Sequence, residues 1–133
     1  MSSSVPVYVI NLARSSQRWD DVKQSADQFG IELNDLLNTL RKLGFERAAF
    51  DEDLKDLSMG QKRKVSLARS LCEPANLYIW DEPLNYLDVI TRKQIQDLIL
   101  RKQPSMLIID HDEAFIEAVK TAPLLKIAPI DSQ

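Results

Sequence analysis

Apolar and polar positions follow two rhythms along this chain. Residues 5–12, Val-Pro-Val-Tyr-Val-Ile-Asn-Leu, form an almost unbroken apolar run rich in β-branched and aromatic side chains, which predicts a buried strand. Shorter runs of the same kind predict strands at 77–80, 106–109 and 124–127. Between them the spacing changes to that of helices. Ser15 or Ser16 opens a helix to about residue 28, with Trp19, Val22, Ala26 and Phe29 as its stripe and Gly30 as its stop. Asn34 or Asp35 caps a second helix, with Leu36, Leu37, Leu40 and Leu43 on one face and Gly44 behind it. Residues 45–56 read as a helical turn and a charged connection.

Further helices are predicted over 58–72, 88–102 and 111–120. The first turns Val65, Leu67, Ala68, Leu71 and Cys72 inward, and the second Ile90, Ile95, Leu98 and Ile99. Alternation of strands and helices predicts an α/β fold, a parallel four-stranded sheet covered by helices. In the expected order, strand 5–12 lies between 106–109 and 124–127, and 77–80 forms the edge beyond 106–109. Cys72 and Trp80 are assigned to the core.

The chain has 133 residues, 28% charged and 44% hydrophobic, with a formal net charge of −3, which suits one domain and excludes two. No apolar run is long enough to span a bilayer, and the start, Met-Ser-Ser-Ser-Val-Pro, has neither the basic nor the apolar region of a signal peptide. One cysteine, Cys72, excludes an internal disulfide framework and fits the cytoplasm. The lone His111 and Cys72 argue against a structural zinc site. The three glycines, Gly30, Gly44 and Gly60, are too far apart for a Walker A loop or a dinucleotide fingerprint. A phosphate cradle must therefore come from another chain or be built differently.

Four segments occur in a specific order. They are Leu57-Ser58-Met59-Gly60-Gln61 with a following helix, Leu77-Tyr78-Ile79-Trp80-Asp81-Glu82-Pro83, Leu84-Asn85-Tyr86-Leu87-Asp88, and Ile108-Ile109-Asp110-His111-Asp112. Taken by themselves the residues fit two readings. Ser58 and Asp88 are ordinary helix caps, or Ser58 and Gly60 mark a helix N-terminus that binds an anion. Asp81 and Glu82 are an exposed acidic strand end, or the acids of a site at the carboxyl edge of the sheet, where ligands of α/β folds gather. His111 is a surface histidine or a switch after a buried strand. The run Lys62-Arg63-Lys64 is read as a solvated helix face.

In combination the four segments resemble the second half of an ATP-binding-cassette ATPase, over about residues 34–133. They are similar to the ABC-F class, the soluble cassette proteins that act on ribosomes, and within it to the antibiotic-resistance members of the Lsa and Vga type. The resemblance implies a P-loop-NTPase-like core with the Walker A unit replaced, and ATP with Mg²⁺ as cofactors. By the same resemblance, Asp81 holds the metal through its water shell and Glu82 orients or deprotonates the attacking water. His111 touches the γ-phosphate. Ser58, Gly60 and Gln61 belong to the signature that caps a partner's nucleotide, and Asp88 is the D-loop aspartate.

Residues 5–33, with Val7-Tyr8-Val9-Ile10-Asn11-Leu12, Arg14 and Arg18, resemble instead the start of a family 25, lipopolysaccharide-type glycosyltransferase. The division expected is a glycosyltransferase-like β-α unit, 1–33, joined to a cassette-like segment, 34–133, within one α/β domain. Lacking a Walker A loop, the isolated chain is expected to hydrolyse little or no ATP. Expected partners are a second copy or another chain that supplies a Walker A loop, and, by the resemblance, the ribosome; no membrane is expected. The alternatives are a folding chimera without activity and a truncated sugar-nucleotide transferase.

Overall fold

The computed structural model describes residues 7–9, 26–28 and 30–122. Three strands, β1 (Val7–Val9), β2 (Leu77–Asp81) and β3 (Met106–Ile109), form a parallel sheet in the order β1-β2-β3. Four helices lie wholly within the described residues: α1 (Leu33–Lys42), α2 (Met59–Cys72), α3 (Val89–Lys102) and α4 (Glu113–Val119). Short 3₁₀ turns, Arg47–Asp51 and Leu54–Asp56, make up the connection between α1 and α2. The predicted fourth strand at 124–127 and the helix start at Ser15 or Ser16 lie outside the described residues.

The strand order corrects the expectation. Strand β2, placed at an edge by the sequence reading, is the middle strand, with Val7 opposite Leu77 and Trp80 opposite Ile108. Its Tyr78 and Trp80 point into the core, while Leu77 and Ile79 are half-buried on the other face. A strand covered on both faces suits the interior of a parallel sheet. By contrast β3 leaves Leu107 and Ile109 48% and 46% exposed.

Helix ends are set by local hydrogen bonds. Gly30 adopts a left-handed conformation (φ 68°), and the Ile31 amide donates to the Ala26 carbonyl at 2.8 Å, closing the preceding helical turn. Ile31 is then drawn into the core, so α1 begins at Leu33 behind Glu32, earlier than caps at Asn34 or Asp35 would allow. The start of α4 is also corrected, from residue 111 to Glu113. The Asp110 carboxylate accepts from the Asp112 amide (2.8 Å) and Asp112 in turn accepts from the Phe115 amide (3.1 Å). This Asx turn keeps His111 out of the helix.

One core joins the four helices, β2 and β3. Ala26 and Ile31 pack in the same cluster as Leu36, Leu40, Leu67, Trp80, Ile95 and Phe115. Trp80 is fully buried, and its indole N–H donates to the Ser70 hydroxyl at 2.8 Å, tying β2 to α2. Inward assignments from the helical spacing change at Ile90, which is 71% exposed, and at Cys72 and Val65, which are half-buried at the core's margin. Cys72 makes a 3.4 Å contact with the Thr39 hydroxyl.

Candidate nucleotide site

The carboxyl end of β2 carries two exposed acids, Asp81 and Glu82. Alternation along the strand puts Trp80 inward and Asp81 outward. Pairing continues past the strand, because the Glu82 amide donates to the Ile109 carbonyl at 2.7 Å. Glu82 itself has a left-handed backbone (φ 45°), rare for a residue with a β-carbon and concentrated at functional sites.

Side chains converge on the Glu82 carboxylate from two directions. His111 Nδ1 lies 3.5 Å from Oε1, an ion pair when the imidazole is protonated, and Asn85 Nδ2 donates to Oε2 at 3.1 Å. His111 is presented by the turn that Asp110 and Asp112 hold, and it is 80% exposed, open to a ligand. Arg92 steadies this turn from α3, reaching Asp112 at 3.3 Å and the Leu87 carbonyl at 3.1 Å.

Helix α2 starts in a capping box. Ser58 Oγ accepts from the Gln61 amide (3.2 Å), and Gln61 Oε1 accepts from the Ser58 amide (2.8 Å). Ser58 and Gln61 thus do the local work of a cap. The first-turn amides of Met59 and Gly60 have no intrahelical acceptor, and the Ser58 hydroxyl keeps a hydrogen to donate. The start of α2 is packed onto the loop after β2: a β-carbon at Gly60 would stand 2.9 Å from the Tyr86 carbonyl oxygen. Tyr86 is also left-handed (φ 68°).

Asp88 caps α3, its Oδ1 accepting from the Thr91 amide at 2.7 Å. Hydrogen bonds from Thr91, first from the backbone and then from the side chain, hold its carboxyl below the usual aspartate range, and Lys64 adds to the effect.

The basic run is not a solvated face. Lys62 Nζ donates to the Lys55 carbonyl at 3.0 Å, and the Lys64 ammonium lies near Gly44. Arg63 is only 7% exposed, and burial lowers its pKa. The sequence reading missed Asn85 and Arg92 as site residues, since their roles depend on which loops fold over them.

For a metal, the donor set is informative. Among the described residues no group of three or more His, Cys, Asp or Glu could hold an ion unaided. Asp81 and Glu82 offer the one or two carboxylates with which Mg²⁺ is ordinarily held beside substrate phosphates. The set fits a metal that arrives with a nucleotide.

A profile of the ABC transporter family matches residues 6–85, more than half of the chain. The chain belongs to the ABC transporter family. The matched range takes in β1, so the likeness of 5–33 to a glycosyltransferase and a join near residue 33 gain no support from it. Among relatives of this ABC ATPase segment, the ribosome protection protein VmlR of Bacillus subtilis is 33% identical over 88 residues, covering 66% of this chain and 16% of VmlR. The Uup-like ATP-binding protein of Haemophilus influenzae is 34% identical over 101 residues, 76% of this chain and 22% of that protein. The chain thus spans less than a quarter of the length of either relative. The solved structure of an RNase-L inhibitor superposes with a TM-score of 0.67 over 90% of this chain and 24% of its own, at 21% identity. The fold is the α/β, P-loop-NTPase-like fold of ABC ATPases. No helix among the described residues is long and apolar enough to cross a membrane.

Proposed function

We propose that this chain is the signature-to-switch portion of an ABC-F type ATPase that works in the cytoplasm on ribosomes. The observation that carries the reading is the convergence of Glu82, His111 and Asn85 at the end of β2, directly beside the loop onto which the start of α2 is packed. The family match supports nucleotide chemistry, and the likeness to VmlR, a ribosome protection protein, supports a ribosomal setting.

In this reading Asp81 would hold Mg²⁺ through water, and the metal would supply neutralisation of phosphate charge. Glu82 orients the attacking water and accepts its proton, with Asn85 and His111 fixing the carboxylate's direction. His111 also reaches toward the γ-phosphate. Ser58, Gly60 and the amides of α2 face the phosphates of a nucleotide held by a partner, with Gln61 closing the cap. Asp88 belongs to the loop between the two sites. None of these 133 residues forms a Walker A loop, so the cradle for the β- and γ-phosphates lies outside them, and in this reading a partner cassette supplies it.

Calorimetric titration of Mg-ATP tests this, with the chain alone and mixed with a cassette that has an intact Walker A loop but a disabled signature. No heat is expected from the chain alone, and binding with slow hydrolysis is expected from the mixture. Micromolar binding by the isolated chain would overturn the borrowed cradle, and a silent mixture would overturn the nucleotide reading.

A further inference from the structure

We infer that Arg92 is a positioning residue for His111: its guanidinium clamps the turn that carries the histidine to the loop after β2. The inference rests on the reading of His111 as the group that reaches toward the γ-phosphate. Arg92 spends two donors on two segments, Nε on the Leu87 carbonyl at 3.1 Å and a terminal nitrogen on Asp112 Oδ2 at 3.3 Å. Leu87 closes the loop, and Asp112 directly follows the histidine. The other Asp112 oxygen accepts from the Phe115 amide, and the Asp112 amide donates to Asp110. A second tie joins the same two segments, from the Glu82 amide to the Ile109 carbonyl. The contact between Glu82 and His111 therefore lies between ties at residues 109 and 112.

Folding stability does not account for the arrangement. The Arg92 and Asp112 side chains are 43% and 29% exposed, and an ion pair so open adds little to a fold. The guanidinium runs back toward the start of α3, the positive end of the helix dipole, where a cation is disfavoured. A planar fork with one donor on each segment does fix their spacing, which a flexible ammonium would do less well.

The test uses the full chain without nucleotide, as wild type, Arg92→Met, Asp112→Asn and the double variant. Asp112→Asn keeps an oxygen to cap α4 and turns a donor toward Arg92. His111 is the only histidine in the chain, so its ring signals in NMR spectra are unambiguous. In each single variant, cross-relaxation between the His111 ring and the Glu82 side chain should fall by about half, and the Asp112 amide should exchange about two- to fivefold faster, the scale of an exposed ion pair. Removing a cation and removing an anion act oppositely on hydroxide-catalysed exchange, so a shared direction reports lost position and not an altered field. The double variant should add nothing to either single one. The urea midpoint and the amides of Leu67 and Leu98 should hardly change. Absent, opposed or additive effects overturn the clamp. A lowered midpoint with faster exchange throughout, or a variant that does not fold, overturns it in favour of a structural role. None of these readouts involves ATP, so failure of the clamp and failure of the nucleotide reading are told apart.

Discussion

Gly60 is required by what lies opposite it. Alanine in a helix is favoured over glycine by about 1 kcal/mol, less in a first turn. Here the added methyl would stand 2.9 Å from the Tyr86 carbonyl oxygen, which is backbone and cannot swing away. Overpacking of this kind costs about 1–3 kcal/mol, so the clash outweighs the propensity. Gly60→Ala is expected to lower the urea midpoint and to shift the amide resonances of residues 84–87. Asp88 allows a second test. Its pKa is depressed in the folded state, so its ionisation stabilises the fold above the unfolded pKa, and that contribution is lost as pH falls through the folded value. Asp88→Asn keeps a capping oxygen and removes the charge. The variant should be less stable than wild type at neutral pH, and the gap should close below about pH 4. A gap independent of pH would show that the charge does nothing there.

At the scale of elements, α2 and β2 are linked through the hydrogen bond from the Trp80 indole to Ser70. Ser70→Ala leaves a buried N–H unsatisfied and should cost about 1–3 kcal/mol in chemical denaturation. Elements of this size were legible in the sequence because their apolar spacing is local. The 58–72 and 88–102 readings, for instance, differ from α2 and α3 by one residue at the start. Which strand neighbours which was not legible. Parallel strands joined through helices leave no turn signature, and the apolar run 5–12 would suit either side of a neighbour. Ile90 was misread because the spacing of α3 places it beside the buried stripe, yet its side chain is exposed. Among candidate site residues, Glu82 and His111 were legible from strand ends, and the structure puts them together. Arg92 was not, since a lone cation on a helix carries no mark of the segments it ties together.

At the scale of the molecule, apolar side chains gather outside the core near the site. Tyr86 is 62% exposed, Val89 81% and Ile90 71%, on consecutive stretches of loop and helix. Such a patch favours association with a partner. Sedimentation across a range of concentrations should show self-association of the chain that Ile90→Lys weakens. The urea midpoint should hardly move, because Ile90 contributes little to the core. Identical sedimentation of the two proteins would exclude Ile90 from any such contact.

The placement of Trp80 makes the molecule optically self-reporting. The indole is dry and lies two residues before Glu82, and its N–H is anchored to α2. Its emission should therefore be blue and shielded from aqueous quenchers. With Trp19 replaced by phenylalanine, a single chromophore remains in the chain's tryptophan band. Anything that tugs on the acidic end of β2 then reaches that chromophore through two peptide units, so motion at the site can be followed as a change in colour without attaching a dye.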